Sequence, residues 1–179
     1  MSDIQERPLV TFALFAYNQE RFIREAVEGA LAQDYSPLQI ILSDDFSTDR
    51  TFEIMQEMVA TYTGPHRIVM NRNVANLGVG EHVNCVVEMA EGELIVGAAG
   101  DDISLPGRVS ETVKAWQHSG KKATSIYSAV EFIDESGSSQ GIRSMYHEEA
   151  GSLRKISEVL MGPYGASHAF CRQLMIKFG

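Results

Sequence analysis

The sequence predicts an α/β fold, a mainly parallel sheet flanked by helices, and three observations point there. Short apolar, β-rich runs alternate with amphipathic helical stretches from Leu9 to Gln117, the alternation that builds βαβ units with right-handed crossovers. Two of those runs stop at paired acids, Asp44-Asp45 and Asp101-Asp102. Parallel strands deliver such residues to one carboxyl edge, outside which open α/β sheets bind their ligands. The remaining observation is an absence: no apolar run approaches the length of a membrane span.

Taken in order, Leu9 to Phe15 is a nearly continuous apolar run that suits a strand buried on both faces, and it stops at Ala16-Tyr17-Asn18. From Arg21 to Leu31, Phe22, Ile23, Ala26, Val27, Ala30 and Leu31 fall at helical spacing. Gln39 to Ser43 is a second strand, ending in Asp44-Asp45. Phe52, Met55, Val59 and Tyr62 then mark a helix for which Ser47 or Asp49 can serve as N-cap. Arg67 to Met70 reads as a strand and Asn71 to Asn76 as a polar loop. Gly78 to Ala90 is helical, with Val79, Val83, Val86, Val87 and Ala90 as its apolar stripe. Leu94 onward is the strand that stops at Asp101-Asp102, and Arg108 to Gln117 is a helix with Val109, Val113 and Trp116 on one face. Beyond it the pattern changes. Thr124 to Ile133 is β-rich, and the turn chemistry at Asp134-Glu135-Ser136-Gly137 behind it reads as a strand leading into a loop or hairpin. Ser138 to Gly151 is a polar loop without period, Ser152 to Leu160 a short helix, Ala166 to Cys171 a last strand, and Arg172 to Phe178 the start of another helix.

At 179 residues the chain is long enough for one sizeable core, and a single domain over residues 1–179 is expected. A net charge of −9 with no Lys/Arg run argues against an extended nucleic-acid backbone as partner. Cys85 and Cys171 are far apart and lack C-x-x-C spacing, so neither a disulfide framework nor a structural zinc site is expected. Both read as small core residues of a protein in a reducing compartment, the cytoplasm. Met1 to Arg7 lacks the apolar core of a signal peptide. Membrane association is expected to be at most peripheral.

The carboxyl-edge rule gathers Tyr17-Asn18, Asp44-Asp45, the Asn71 to Gly80 loop and Asp101-Asp102 into one neighbourhood. These residue types suit a nucleoside diphosphate: an aromatic to lie against a base, acids to accept from base N–H or ribose hydroxyls, and a metal-binding acid near the phosphates. Adjacent carboxylates such as Asp101 and Asp102 repel each other, and a hard divalent cation relieves that repulsion. The plainer alternative makes them caps of the helix after Pro106. Gly78-Val79-Gly80 matches neither a P-loop nor a dinucleotide fingerprint.

The segments Phe15-Ala16-Tyr17-Asn18, Ile41-Leu42-Ser43-Asp44-Asp45-Phe46-Ser47-Thr48-Asp49, Asn76-Leu77-Gly78 and Asp101-Asp102-Ile103-Ser104-Leu105-Pro106, in this order, resemble the family 2 glycosyltransferases. The resemblance runs from about Leu9 to Trp116 and implies the GT-A nucleotide-sugar-binding fold. It also implies transfer of a sugar from a nucleoside diphosphate donor, a UDP-sugar favoured, to an acceptor hydroxyl with inversion. On that family pattern Ala16 and Tyr17 line the base pocket, Asp45 accepts from the base N–H, and Asp44 shapes the same edge. Asn76 joins the nucleotide-binding set, Asp101 lies near the ribose, and Asp102 holds Mn²⁺ or Mg²⁺. Ser167 and His168, within Gly165 to Phe170, resemble the acceptor side. The family's catalytic base is an acid in a Glu-Asp-like motif after the helix that begins near Arg172, so the resemblance puts it beyond residue 179. Bacterial cell-surface polysaccharide is the usual destination of products from such sequences.

Plainer readings stand beside these. Tyr17 can simply pack at a strand end, Asp44 and Asp45 can cap the next helix, and Asn73 and Asn76 suit turns. His82 reads as a solvated surface histidine, Trp116 as core, and His147 with Glu148 and Glu149 as a solvated charge run more than a metal cluster. Two rival functions remain. A sugar-phosphate nucleotidyltransferase would need a Gly-rich basic loop after the first strand, which Ala16 to Glu20 does not offer. A non-catalytic nucleotide-sugar-binding module stays open because the base is missing. Oligomeric state is not legible.

Overall fold

In the computed structural model, which describes residues 7–134, 136–143 and 167–178, strands and helices alternate in the expected order. β1 (Val10–Ala16), α1 (Ile23–Leu31), β2 (Leu38–Asp44), α2 (Thr51–Ala60), β3 (Arg67–Arg72), α3 (Gly78–Met89), β4 (Leu94–Ala99) and α4 (Arg108–His118) come first. The short strands β5 (Ser125–Tyr127), β6 (Val130–Ile133), β7 (Ser139–Arg143) and β8 (His168–Cys171) follow, then helix α5 (Arg172–Phe178).

The main sheet has the order β3-β2-β1-β4-β8-β5. β2 and β4 run parallel to β1 on either side of it, and β3 runs parallel to β2. β8 enters antiparallel between β4 and β5. Register brings the parallel strand ends level: Ala16 pairs with Asp44, Asp44 with Arg72, and Phe15 with Ala99.

Because β1, β2 and β4 are covered on both faces, they are buried along nearly their whole length and apolar residues occupy both faces instead of alternating with polar ones. Phe12, Leu14, Leu42 and Val96 pack on one side against Ile23 and Val27 of α1, Met55 of α2 and Val109 and Trp116 of α4. Ala13, Ile41 and Ile95 pack on the other side against Val86 and Val87 of α3 and Phe170 of β8, with Met175 of α5 beside them. In α1 the buried residues Ile23, Ala26, Val27 and Ala30 keep three- and four-residue spacing, so one face meets the sheet and the other meets water.

Two expectations about the later part of the chain need correction. Thr124 to Ile133 is not one strand. It breaks after Tyr127, where Ser128 N–H donates to the Ser167 carbonyl at 3.1 Å, and resumes as β6 in a separate two-stranded sheet with β7. Of the two readings for the chain after Ile133, the hairpin is the one formed: residues 139–143, within the stretch expected as polar loop, supply the partner strand, and Asp134 Oδ1 fixes the turn by accepting from the N–H groups of Ser136 and Ser138 at 2.9 and 3.1 Å. The helix expected over Ser152 to Leu160 and the His147 cluster lie outside the described residues. Among the described residues, no helix is long and apolar enough to cross a membrane.

Gly92 marks the closest backbone approach. A β-carbon there would sit 2.4 Å from Thr11 N and 2.6 Å from the Val10 carbonyl carbon, whereas one at Gly80 in α3 would meet nothing within 4 Å. Gly92→Ala is therefore expected to destabilise by about 2–3 kcal/mol, through forced displacement of β1. Gly80→Ala is expected to stabilise by about 0.5–1 kcal/mol through helix propensity. Urea unfolding of the two variants checks the contrast, and equal effects would contradict the packing described.

Candidate active site

Four strand ends meet at the carboxyl edge. At the end of β1, Ala16 is buried and its carbonyl accepts from Asp45 N–H at 2.9 Å, while Tyr17 leaves 45% of its surface to solvent. The loop that follows is stitched to the β2–α2 loop. Asn18 N–H donates to Ser47 Oγ (2.9 Å), Gln19 N–H to Thr51 Oγ1 (2.7 Å) and Glu20 N–H to Asp49 Oδ2 (3.1 Å). In return Thr48 N–H donates to Asn18 Oδ1 at 2.8 Å and Arg50 N–H to Glu20 Oε2 at 3.0 Å. Asp49, not Ser47, serves the start of α2, accepting from Thr51 N–H at 2.9 Å.

Asp44 and Asp45 do different work although they are neighbours. Asp44 is fully buried; it accepts from Ser47 N–H at 2.9 Å and from the Ser47 hydroxyl, and pairs with Arg72 Nε at 3.4 Å. Its carboxylate thus braces the loop from inside. Asp45, 3% exposed, turns towards α3. Leu77 N–H and Gly78 N–H each donate to it at 2.9 Å, and Asn73 Nδ2 donates at 2.7 Å. Leu77, the N-cap of α3, has no side chain that can cap, so a carboxylate borrowed from β2 satisfies the orphan donors. Burial pushes the Asp45 carboxyl up, but the Leu77, Asn73 and Gly78 donors outweigh it and hold the group below its ordinary value. Asn76 Nδ2 donates to the Asp45 carbonyl at 3.4 Å.

His82 overturns its sequence reading as a solvated residue. It is 4% exposed, with Nε2 2.6 Å from Ser43 Oγ and its ring edge-on to Phe15 at 5.3 Å. Asn71 Nδ2 donates to the same Ser43 Oγ and to Asn73 Oδ1, both at 3.0 Å. The hydrogen bonds thus close a circuit from α3 through Ser43, Asn71, Asn73 and Asp45 back to the start of α3. Burial lowers the His82 pKa, against the opposing charges of Asp45 and Asp44. Of the expected α3 stripe, Val86, Val87 and Ala90 are buried but Val79 is 84% exposed, and His82 joins the inward face.

At the end of β4, Asp101 and Asp102 are both exposed. The packed strand end strips water from Asp102 and raises its carboxyl pKa, and the Asp101 charge raises it further; Arg108 opposes both. Arg108 rises from the first turn of α4, donating to Ser104 Oγ at 2.8 Å and to the Gly97 carbonyl at 2.5 Å. Burial lowers its guanidinium to about 10, with Asp102 pulling the other way, so it stays a cation at neutral pH. Neither acid appears as an α4 cap, since the N-cap is Gly107. On the far side of β4, His168 stacks on Tyr127 with ring centroids 4.5 Å apart and lies 2.6 Å from Ser125 Oγ. Burial holds its imidazole below the ordinary value. Ser167 beside it is buried.

The sequence model of glycosyl transferase family 2 matches residues 11–177, nearly the whole chain. The chain belongs to this family. A putative glycosyltransferase, EpsE, of Bacillus subtilis (strain 168) is 35% identical over 106 residues, covering 59% of this chain and 37% of the relative. An uncharacterised glycosyltransferase of Rickettsia felis is 33% identical over 132 residues, covering 74% of this chain and 21% of the relative. Among solved structures, residues 1–349 of S. aureus TarS in complex with UDP-GlcNAc superimpose with a TM-score of 0.71 at 17% identity, over 94% of this chain and 46% of that one. The mannosyltransferase PcManGT from Pyrobaculum calidifontis, in complex with GDP-Man and Mn²⁺, gives a TM-score of 0.68 at 21% identity, over 98% and 48%. These likenesses establish the GT-A fold. The chain spans less than half the length of each of these four proteins.

Sequence reasoning missed Arg72 and His82 as parts of this edge. The available signal for His82 was its four-residue spacing to Val86, which puts it on the edge of the same helix face; Val79 fits that face by spacing too, but stands in the first turn of α3 and is exposed. A neutral buried histidine makes stability pH-dependent with a definite sign. The folded pKa lies below the unfolded value of about 6.5, so the unfolded state takes the proton first as pH falls, and the stability is lost as pH drops below about 6.5. Urea midpoints measured from pH 7.5 to 5 are expected to fall more steeply for the wild type than for His82→Gln, which cannot titrate. Parallel curves would contradict the buried neutral state.

Proposed function

We propose that this chain binds a nucleoside-diphosphate sugar along the carboxyl edge and supports transfer of the sugar, with inversion, to an acceptor hydroxyl of a glycan. The observation that carries this reading is the contrast between the two acidic pairs. Asp44 and Asp45 have their oxygens met by protein donors, whereas Asp101 and Asp102 reach solvent, with the Asp102 carboxyl raised by partial desolvation at the strand end and by the Asp101 charge. Strand order β2-β1-β4 separates the pairs by two inter-strand spacings, roughly 10 Å. A nucleotide with its base near Ala16, Tyr17, Asp45 and Asn76 and its diphosphate near Asp101 and Asp102 suits that span.

The donor set fits a hard divalent cation of the Mn²⁺ or Mg²⁺ type, with Asp102 as the ligand and Asp101 on the ribose side. Such ions take one or two carboxylates plus substrate phosphate oxygens, and among the described residues no set of three or more His, Cys, Asp or Glu side chains forms a cation site on its own. When bound, the ion would neutralise the diphosphate and help it depart. The residues do the rest: Asp45 receives the base N–H, Asp101 a ribose hydroxyl, and Arg108 holds the β4 end rigid through its bonds to Gly97 and Ser104. A base takes the acceptor proton as the hydroxyl oxygen attacks the anomeric carbon and the bond to the diphosphate breaks. Ser167 and His168 lie on the acceptor side of this arrangement. The mannosyltransferase held with GDP-Man and Mn²⁺ and the TarS complex with UDP-GlcNAc support the ligand class; UDP is the favoured donor nucleotide. Against a sugar-phosphate nucleotidyltransferase, the loop after β1 is Tyr17-Asn18-Gln19-Glu20, with neither glycine nor a cation.

Isothermal titration of the chain with UDP, GDP and TDP, with and without Mn²⁺, tests the proposal. Binding is expected to require the metal, and Asp102→Ala is expected to weaken it at least tenfold, about 1.4 kcal/mol. Wild-type affinity in Asp102→Ala would remove that residue from the metal site.

A further inference from the structure

Phe46 is unfavourable by two independent criteria. Its φ of 64° lies in the left-handed region, where a bulky side chain is a genuine outlier, and the residue is 43% exposed. The strain is imposed from both sides. Asp45 N–H is tied to the Ala16 carbonyl at 2.9 Å, Ser47 N–H to Asp44 Oδ2 at 2.9 Å, and the Ser47 carbonyl to Arg72 Nη2 at 2.8 Å. Glycine or asparagine would adopt this conformation with less strain. The ring nevertheless has a defined seat: the Arg72 guanidinium lies 5.6 Å from its centroid and 5.0 Å from that of Phe52, and Arg72 is itself paired with buried Asp44. A strained backbone that holds an aromatic face in solvent is a feature found at ligand clamps.

Its location selects the ligand. Phe46 follows Asp45 directly at the end of β2 and shares the edge with exposed Tyr17 at the end of β1, two strands away from Asp101 and Asp102. We infer that Phe46 forms a wall of the base pocket and stacks on the heteroaromatic base of the bound nucleoside diphosphate. This rests on the reading above that a nucleotide lies along this edge. Planar bases gain from an aromatic face whatever their hydrogen-bonding pattern, so the ring supplies affinity, and Asp45 supplies the selection among bases.

The test compares wild type with Phe46→Gly, Phe46→Asn and the conservative Phe46→Tyr. Each is titrated calorimetrically in Mg²⁺ with UDP, GDP and TDP, and with inorganic pyrophosphate as the probe that lacks a base. In the glycine and asparagine variants the affinity for the preferred nucleotide is expected to fall about tenfold, with pyrophosphate affinity within twofold of wild type and the tyrosine variant close to wild type. Their thermal midpoints are expected to stay level or rise by a few degrees as the strain is released. Unchanged nucleotide affinity in both variants, or an equal loss for pyrophosphate, overturns the assignment of Phe46 alone. A folded wild type that binds none of the four ligands overturns this assignment together with the reading it rests on.

Discussion

Parallel hydrogen bonding of β1 to β2 on one side and β4 on the other is the constraint on which the rest of the molecule depends. It brings Phe15, Ser43 and Ala99 level, so the loops that follow all leave the sheet at one edge. Those loops carry Tyr17, Asp45 and Asp101-Asp102. The central strands satisfy each other's backbone groups, which allows both of their faces to be apolar and forces chemistry to the ends. A one-residue slip of β2 would exchange the faces of Ser43 and Asp44, taking one from His82 and the other from Arg72.

The edge then treats its two acidic pairs in opposite ways. Asp44 and Asp45 have neighbouring backbones, but their side chains diverge, one to Ser47 and Arg72 and the other to the start of α3. Each negative charge is met by donors already fixed in place, and the cost of burying it is offset by those bonds. The positive charge that acts on Asp102 is Arg108, which also serves Ser104 and Gly97. The first pair organises loops; the second is left short of positive charge, as a site completed by its ligand would be.

Much of the fold was legible because it rests on local pattern. Both-face apolar runs gave the parallel strands, and helical spacing gave α1, α2 and α4 within a few residues of their bounds. The adjacent acids pointed to the edge through the general rule for open sheets. What escaped depended on contacts distant in sequence. His82 looked solvated among polar neighbours, and only the meeting of α3 with Ser43, 39 residues away, makes it interior. The expected strand over Thr124 to Ile133 splits because β8, more than 40 residues later, claims one half, while β7 takes the other. Arg72 reads from sequence as the polar start of a loop, and its role emerges only where it meets Asp44 and the Ser47 carbonyl.

The central claim is that one nucleotide spans the edge with its base at the β2 end and its diphosphate at β4. Amide NMR of the labelled chain, titrated with UDP first in Mg²⁺ and then in trace Mn²⁺, measures this directly. The account predicts Mg²⁺-dependent shifts at Tyr17, Asp45, Phe46 and Leu77, and paramagnetic broadening centred on Asp101 and Asp102. Broadening centred elsewhere, such as the 610 Å³ cavity between α1 and α2 lined by Arg24, Glu57 and Tyr62, would contradict it.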